Sequence, residues 1–135
     1  MKILKPEENI KRIISLIKDA KEFVIIVSPF NSLGGWDELI DSINEAGKKI
    51  KVSYYVRKDE GNKGIEAINV NIYEVPLLHA KMFFSESEAI ISSGNLTNRP
   101  DINWVCVLDN RQEYEDIVSF FNNYIKPAAI QHTVL

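Results

Sequence analysis

Four polar residues in the middle of the chain are of types that could act together on a phosphate group. His79 and Lys81 stand two positions apart, and Ser93 and Asn95, again two apart, follow later in the chain. If residues 79–84 form a strand, the alternation of side chains puts His79 and Lys81 on one face. An imidazole beside an ammonium group could hold a phosphate, and the hydroxyl and amide could donate further hydrogen bonds.

A predicted hairpin connects the two pairs. The apolar residues 89–91 follow the first strand after a short polar turn at residues 85–87. Two such runs joined by a short turn are typical of neighbouring antiparallel strands. The second strand would then bring Ser93 and Asn95 next to His79 and Lys81, so that nucleophile, cation and amide converge.

This pattern resembles the HKD motif of the phospholipase D superfamily. In that motif His-x-Lys is followed by four residues, an acid, about six more residues and then Gly-Ser-x-Asn. Here four residues separate Lys81 from Glu86, and residues 92–95 read Ser-Ser-Gly-Asn. The spacer after Glu86 is one residue shorter than in the family, and Glu86 stands where the family usually has Asp. The resemblance implies catalytic roles for His79, Lys81, Ser93 and Asn95, whereas Glu86 is expected to be a solvated residue at the hairpin tip.

The resemblance also implies a mechanism that needs two histidines. In the family one His attacks phosphorus to form a phosphohistidine, and the His of a second motif protonates the leaving group. This chain has one His-x-Lys, because its other histidine, His132, is followed by Thr-Val. One imidazole cannot stay bonded to phosphorus and at the same moment act as acid or base on an oxygen. We therefore expect a homodimer that brings two copies of His79 together at a two-fold axis.

The function implied by the family is a metal-independent phosphodiesterase, with a nuclease acting on DNA or RNA as the favoured activity. We expect no cofactor and no metal, since no His/Asp/Glu cluster has ligand spacing. The alternative is a non-catalytic phosphate- or nucleic-acid-binding module of a larger system, which the short spacer and the missing Asp favour. Phosphatidyl transfer is less favoured, because no amphipathic helix with a basic face is visible in the sequence.

The charge distribution bears on a nucleic-acid partner. The net charge of −3 argues against coating nucleic acid by bulk electrostatics. Six basic residues nevertheless lie close together in the sequence: Lys48, Lys49, Lys51, Arg57, Lys58 and Lys63. We expect them either to form a strip that binds a phosphodiester chain or to be solvated residues flanking a strand.

Length and composition predict one globular domain. The 135 residues, 45% of them hydrophobic, are enough for a single core, so residues 1–135 are expected to form one phospholipase D-like domain. Cys106 is the only cysteine, which excludes an internal disulfide. No segment reads as a signal peptide or membrane span, and we expect a cytoplasmic protein without a membrane partner.

Hydrophobic periodicity predicts an α/β fold with a mixed, largely parallel sheet sandwiched between helices. Helices are expected from Pro6 to residue 17 and at 36–46, 61–67 and 113–125, and strands at 23–27, 50–57, 70–75, 79–84, 89–91 and 104–108. The helix between the first two strands predicts that they run parallel. This order resembles one half of a phospholipase D fold over roughly residues 20–125, with the His-x-Lys strand in the middle of the active face.

Overall fold

A computed structural model describes residues 1–99 and 101–131, so His132 lies outside the described residues. The helices are α1 (Asn9–Asp19), α2 (Asp37–Gly47) and α3 (Arg111–Phe120). A π-helical turn, Phe121–Ile125, continues α3, and single 3₁₀ turns occupy Pro6–Glu8, Ile65–Ala67 and Lys126–Ala128. The strands are β1 (Lys2–Ile3), β2 (Phe23–Val27), β3 (Lys51–Arg57), β4 (Asn71–Val75), β5 (Met82–Ser85), β6 (Ala89–Ser92), β7 (Val105–Leu108) and β8 (Ile130–Gln131).

The described strands form one mixed sheet in the order β1-β7-β6-β5-β2-β3-β4-β8. The predicted parallel pairing of β2 with β3 is confirmed, and β4 joins β3 in parallel. The other pairs of named strands are antiparallel, so the sheet is mixed as expected but not largely parallel. The reason is that a parallel connection needs a long crossover, and the segments that join β4 to β5 and β5 to β6 contain no helix.

Helices cover both faces of the sheet, as predicted. The stripe of Ile13, Ile14 and Ile17 on α1 packs with α2 against one face, which includes Val24 and Tyr54. On the other face, Tyr114 of α3 and Phe121 of the π-helical turn pack with Tyr55, Phe84 and Leu108. Each strand of the centre of the sheet is therefore apolar on both sides, which explains its continuous hydrophobic runs.

The motif hairpin forms, but its first strand begins later than predicted. β5 and β6 are antiparallel, with Met82 opposite Ile91. On its other side β5 pairs with β2 only as far as Met82 and Val27, whereas the chain after β2 stays bonded to β3 through the N–H of Ser28 and the carbonyl of Tyr55. His79 and Lys81 thus precede the strand, although the N–H of Ser92 still donates to the carbonyl of Lys81 at 3.2 Å.

Two edge strands were not predicted. β1 and β8 contain two residues each and close the opposite edges of the sheet by pairing with β7 and β4. Two residues are too few to show an alternating pattern, so no sequence signal marks them.

Glu86 has a structural role at the end of the sheet that is remote from His79. Its carboxylate accepts hydrogen bonds from the backbone N–H groups of Lys21, Glu22 and Phe23, at 2.9 to 3.3 Å, and from the Ser87 hydroxyl at 2.9 Å. Burial alone would raise the pKa of Glu86, but these donors outweigh it and lower the pKa to about 2. The carboxylate therefore fastens the hairpin turn to the start of β2, and the whole of β5 separates it from His79.

We predict that Glu86→Gln destabilises the fold near neutral pH and does so less in acid. The folded state holds the Glu86 carboxylate ionised with a pKa of about 2, against an ordinary value of 4.5. Its stabilisation is fully present above pH 4.5 and is lost as the pH falls towards about 2, where wild type and variant should converge. Urea denaturation across this pH range measures the difference. Glu66→Gln, at an exposed position, is the control, and a pH-independent difference would contradict the role given to Glu86.

Candidate active site

The predicted site residues lie at one end of the central strands, where β2 and β3 terminate. This border of the sheet, formed by strand ends, is the edge on which the site lies. The chain reaches this edge after β4 through a turn in which Leu77 takes a left-handed backbone conformation, with φ of 58°. Arg57, the last residue of β3, donates from Nη1 to the carbonyl of Leu78 at 3.1 Å. This hydrogen bond fixes the backbone immediately before His79.

His79 and Lys81 are brought together as predicted. Lys81 Nζ lies 3.5 Å from His79 Nε2, with the imidazole exposed and the lysine partly buried. Burial lowers the pKa of Lys81 from its ordinary value, because desolvation penalises the ammonium form. The pair therefore presents a cation and an imidazole nitrogen, at the same exposed position, to a bound anion.

Asn95 is held at this edge by the loop that follows β2. Its Oδ1 accepts a hydrogen bond from the N–H of Phe30 at 3.1 Å, and the next residue, Leu96, donates its N–H to the Ser28 hydroxyl at 2.9 Å. No hydrogen bond within the described residues uses Asn95 Nδ2. The amide is therefore fixed through its oxygen, and its N–H groups remain available to an acceptor.

Ser93 is engaged by the neighbouring strand end. Its hydroxyl accepts from the N–H of Trp104 at 3.0 Å and lies 3.2 Å from Asn103 Oδ1, to which it can donate. Both hydrogen-bonding functions of the hydroxyl thus have protein partners. Asn103 also explains the glycine of the motif, since a Cβ on Gly94 would lie 2.3 Å from Asn103 Nδ2.

The two pairs share one edge without a direct hydrogen bond in the described part of the chain. The backbone bond from Ser92 to Lys81 places Ser93 beside the end of the His-x-Lys segment. Within the described residues, however, the hydrogen bonds of the Ser93 and Asn95 side chains go to the loop after β2 and to the start of β7. A bound anion would be needed to connect all four residues.

The loops that form this edge rest on a buried polar network. Asn31 Nδ2 donates to the carbonyl of Ser28 at 2.7 Å and to Asn62 Oδ1 at 2.9 Å, and Asn31 Oδ1 accepts from the Tyr54 hydroxyl. Complete burial raises the pKa of Tyr54, so the phenol keeps its proton. Residues 31–33 lie between residues 95–98 and residues 62–64 and bond to both through the backbone. Buried groups with satisfied hydrogen bonds give this edge a defined shape.

Three further residues at the site had no signal in the motif. Arg57 lies with its guanidinium carbon 5.8 Å from the centre of the Phe30 ring, and the Phe30 N–H is the donor to Asn95. Asn103 contacts Ser93 and Gly94, and its carbonyl accepts from Asn9 at the start of α1. Their roles depend on backbone contacts between distant segments, which sequence spacing does not reveal.

The basic residues expected to form one strip are divided by the length of β3. Lys48, Lys49 and Lys51 lie between the end of α2 and the first residue of β3, whereas Lys58 and Lys63 lie beyond its last residue. All five side chains are exposed. Because a strand of seven residues extends roughly 20 Å, Lys58 and Lys63 share the edge of His79 and the first three do not.

Two further features bear on the expected partners. Across residues 1–99 and 101–131, no three His, Cys, Asp or Glu side chains gather in a way that could hold a metal ion. None of the helices in these ranges is long and apolar enough to span a bilayer.

Structural comparison identifies the fold. Nuc from Salmonella typhimurium, a phospholipase D family member, superposes with a TM-score of 0.76 at 14% identity, over 98% of this chain and 99% of its own. NucT from Helicobacter pylori gives 0.69 at 13% identity, over 97% and 98%. Phosphatidylserine synthase from Haemophilus influenzae gives 0.72 at 15% identity, over 95% of this chain and 37% of its own.

Comparison of the sequence alone finds no match. No family model matches the sequence, and no curated protein matches it. The structure nevertheless confirms what the His-x-Lys and Ser-x-Asn pattern implies about architecture: the chain shares the fold of Nuc, a phospholipase D family member.

Proposed function

We propose that this protein is a metal-independent phosphodiesterase that cleaves nucleic acid through a phosphohistidine at His79. The observation that carries the proposal is the 3.5 Å approach of His79 Nε2 and Lys81 Nζ at an exposed sheet edge. A phosphate held by Lys81 would lie within reach of the imidazole. Asn95, whose Nδ2 has no partner in the described chain, is a second donor at the same edge.

The proposed reaction has two steps. In the first, an unprotonated nitrogen of His79 attacks phosphorus, a P–N bond forms, and the bond to the leaving oxygen breaks. That oxygen takes a proton from a second imidazole. In the second step water attacks phosphorus, the second imidazole takes the proton of the water, and the P–N bond breaks to release the phosphate and restore His79.

Lys81 and Asn95 would stabilise the negative charge that develops on the non-bridging oxygens. Lys81 does so as a compact cation, and its partial burial strengthens its interaction with an anion relative to a fully solvated lysine. Asn95 is oriented in advance by its bond to Phe30, so that donation costs little reorganisation. Ser93 would act mainly by holding the backbone that carries Asn95, because its hydroxyl is already bonded to residues 103 and 104.

The second imidazole is proposed to be His79 of another copy of this chain. A two-fold axis beside the site would bring the two histidines together and use one self-complementary surface. Large apolar side chains around the site favour such a contact: Leu77 is 81% exposed and Ile102 is 88% exposed. Trp104, bonded to Ser93, is 50% exposed beside them. Exposed apolar groups around a polar centre are typical of a protein interface.

The second candidate function is a phosphate- or nucleic-acid-binding module without catalysis. The hydrogen bonds of Ser93 favour it, since the hydroxyl already donates to Asn103 and accepts from Trp104 within the fold. The short spacer and the replacement of the family Asp by Glu86 point the same way. A binding module needs Lys81 and Asn95 but no second histidine, so the two candidates differ in what His79 must do.

We predict phosphodiester cleavage in the presence of EDTA, because the attacking group is an imidazole. His79→Asn should remove turnover and prevent the formation of an acid-labile phosphoenzyme while leaving nucleic-acid binding in place. Lys81→Ala should lower the rate by about 10²–10³, since it removes a fixed charge from the transition state. Lys18→Ala, at an exposed position of α1, is the control. Loss of cleavage in EDTA with recovery on adding Mg²⁺ would contradict the proposal, and binding without turnover would select the second candidate.

We predict that nucleic-acid affinity depends on Lys58 and Lys63 and not on Lys48 and Lys49. Replacing the first pair by Glu should weaken binding and reduce the slope of log K against log salt by about 2, because two phosphate contacts are lost. The second pair is the matched control, with the same number of exposed lysines at the other end of β3. Fluorescence anisotropy at several salt concentrations measures both. Equal losses would show that neither pair contacts the ligand specifically.

We predict a dimer in solution that Leu77→Asp with Ile102→Asp converts into a monomer, with loss of turnover. Light scattering coupled to gel filtration measures the mass, and Ile130→Asp on the edge strand β8 is the matched control. Mixing wild type with excess His79→Asn should lower the activity of the wild type, because mixed dimers hold only one competent histidine. An active monomer, or activity unchanged on mixing, would overturn the shared site.

A further inference from the structure

A cavity of about 500 Å³ lies on the face of the sheet covered by α3, away from His79. Its sheet wall is formed by alternate residues of β2 and β3, which share this face: Phe23, Ile25, Ser53 and Tyr55. Its other wall includes Phe121 of the π-helical turn. The volume falls in the range of sites for small ligands.

The walls of this cavity are aromatic and have flat surfaces. Tyr55 and Tyr73 are stacked, with ring centres 4.8 Å apart and planes 15° apart. Phe121 packs edge-on against Tyr55 at 5.0 Å and against Phe84 at 5.3 Å. Tyr55, Phe84 and Phe121 are at most 4% exposed and pack on one another, so the partly exposed Tyr73 ring is the one that another planar ring can reach.

Three hydroxyls line the cavity and could hydrogen-bond to a ligand. Ser53 is only 2% exposed and lines the cavity, yet its hydroxyl makes no hydrogen bond within the described residues. The hydroxyls of Tyr55 and Tyr73 likewise have no partner in this part of the chain. Burial and the neighbouring Tyr73 raise the pKa of Tyr55 to about 12, so its phenol remains a donor. Tyr73 is only partly buried, and the three hydroxyls face the cavity as donors that a bound ligand could use.

The charge around the cavity selects an anion. Lys51 and Lys126 both line it with exposed side chains, and neither takes part in an ion pair within the described residues. The lining contains no Asp or Glu, although acids outnumber basic residues in the chain by 19 to 16. An acidic protein that leaves two lysines unpaired at an aromatic cavity has a local preference for negative charge.

The backbone at this place is also unusual. α3 changes to π-helical geometry at Phe121–Ile125, and Phe121 and Asn122 of that turn line the cavity. Wide π-helical turns are rare and occur frequently at functional sites. Here the turn places the Phe121 ring between those of Tyr55 and Phe84.

We infer that this cavity is a binding site for a small planar aromatic anion of nucleotide size. The ring would pack against the partly exposed Tyr73, with the Ser53 hydroxyl as a donor. The anionic group would lie at the mouth between Lys51 and Lys126. This site is separate from the edge that carries His79, so it does not depend on the proposed catalysis.

The test is a titration of the ¹⁵N-labelled chain of residues 1–135 with adenosine 5′-monophosphate, a monoester that the proposed diester cleavage would not consume. We expect saturable amide shifts at residues 51–55, 73 and 118–126, and much weaker effects from adenosine or ribose 5-phosphate. Lys51→Gln with Lys126→Gln should weaken binding at least about tenfold, whereas Lys48→Gln with Lys49→Gln should leave it unchanged.

Three results would overturn the inference. The first is an absence of shifts at these residues up to millimolar ligand. The second is a set of shifts confined to residues around His79, which would make the site at the sheet edge the only one that takes the ligand. The third is an equal response to inorganic phosphate, which would reduce the cavity to a general anion site on two lysines. Folding of the variants is checked independently by the unchanged amide spectrum away from the cavity.

Discussion

The end of the pairing between β2 and β5 determines where the candidate site lies. The ladder stops at Val27 and Met82; beyond it the chain after β2 continues along β3, and the chain before β5 remains bonded to Ser92 of β6. The chain after β2 becomes the loop that holds Asn95 through Phe30, and the chain before β5 carries His79 and Lys81. The end of this ladder therefore positions His79, Lys81 and Asn95, whereas Ser93 is held by residues 103 and 104. If β5 had continued back to residue 79, the backbone of residues 79–81 would have been paired within the sheet.

The loops at this edge are fixed by hydrogen bonds and not by apolar packing alone. Asn31, Tyr54 and Ser28 connect three segments that are far apart in the chain, and each of the buried polar groups in these bonds has a partner. A site built on such a network keeps its shape without a ligand, which reduces the reorganisation required when charge develops on a bound phosphate. Glu86 does the corresponding work at the opposite end, where it fastens the hairpin turn to β2. Glu86, the acid of the sequence pattern, therefore has a structural role and lies far from His79.

The sequence predicts the types and approximate bounds of the helices and of the central strands, because their hydrophobic periods differ. It does not predict strand direction equally well, since alternation is the same in parallel and antiparallel strands; only the helical crossover between β2 and β3 carried that information. The proximity of His79 and Lys81 followed from a spacing of two. The contributions of Arg57, Phe30 and Asn103 could not be predicted, because each depends on a hydrogen bond to a segment whose position the sequence does not show. The lysines near β3 illustrate the same limit: neighbours in sequence lie at opposite ends of an extended strand.

Strand β3 links the candidate site at the sheet edge to the cavity on the sheet face. Its last residue, Arg57, fixes the segment before His79, while Lys51, Ser53 and Tyr55 face the cavity. The intervening Val52, Tyr54 and Val56 are buried on the opposite face, against α1 and α2. Because alternate residues of a strand face opposite sides, a slip of one residue would exchange the cavity wall for core residues and would also withdraw Arg57 from Leu78. The apolar packing of Val52, Tyr54 and Val56 thus maintains the register of β3, on which both the candidate site and the cavity depend.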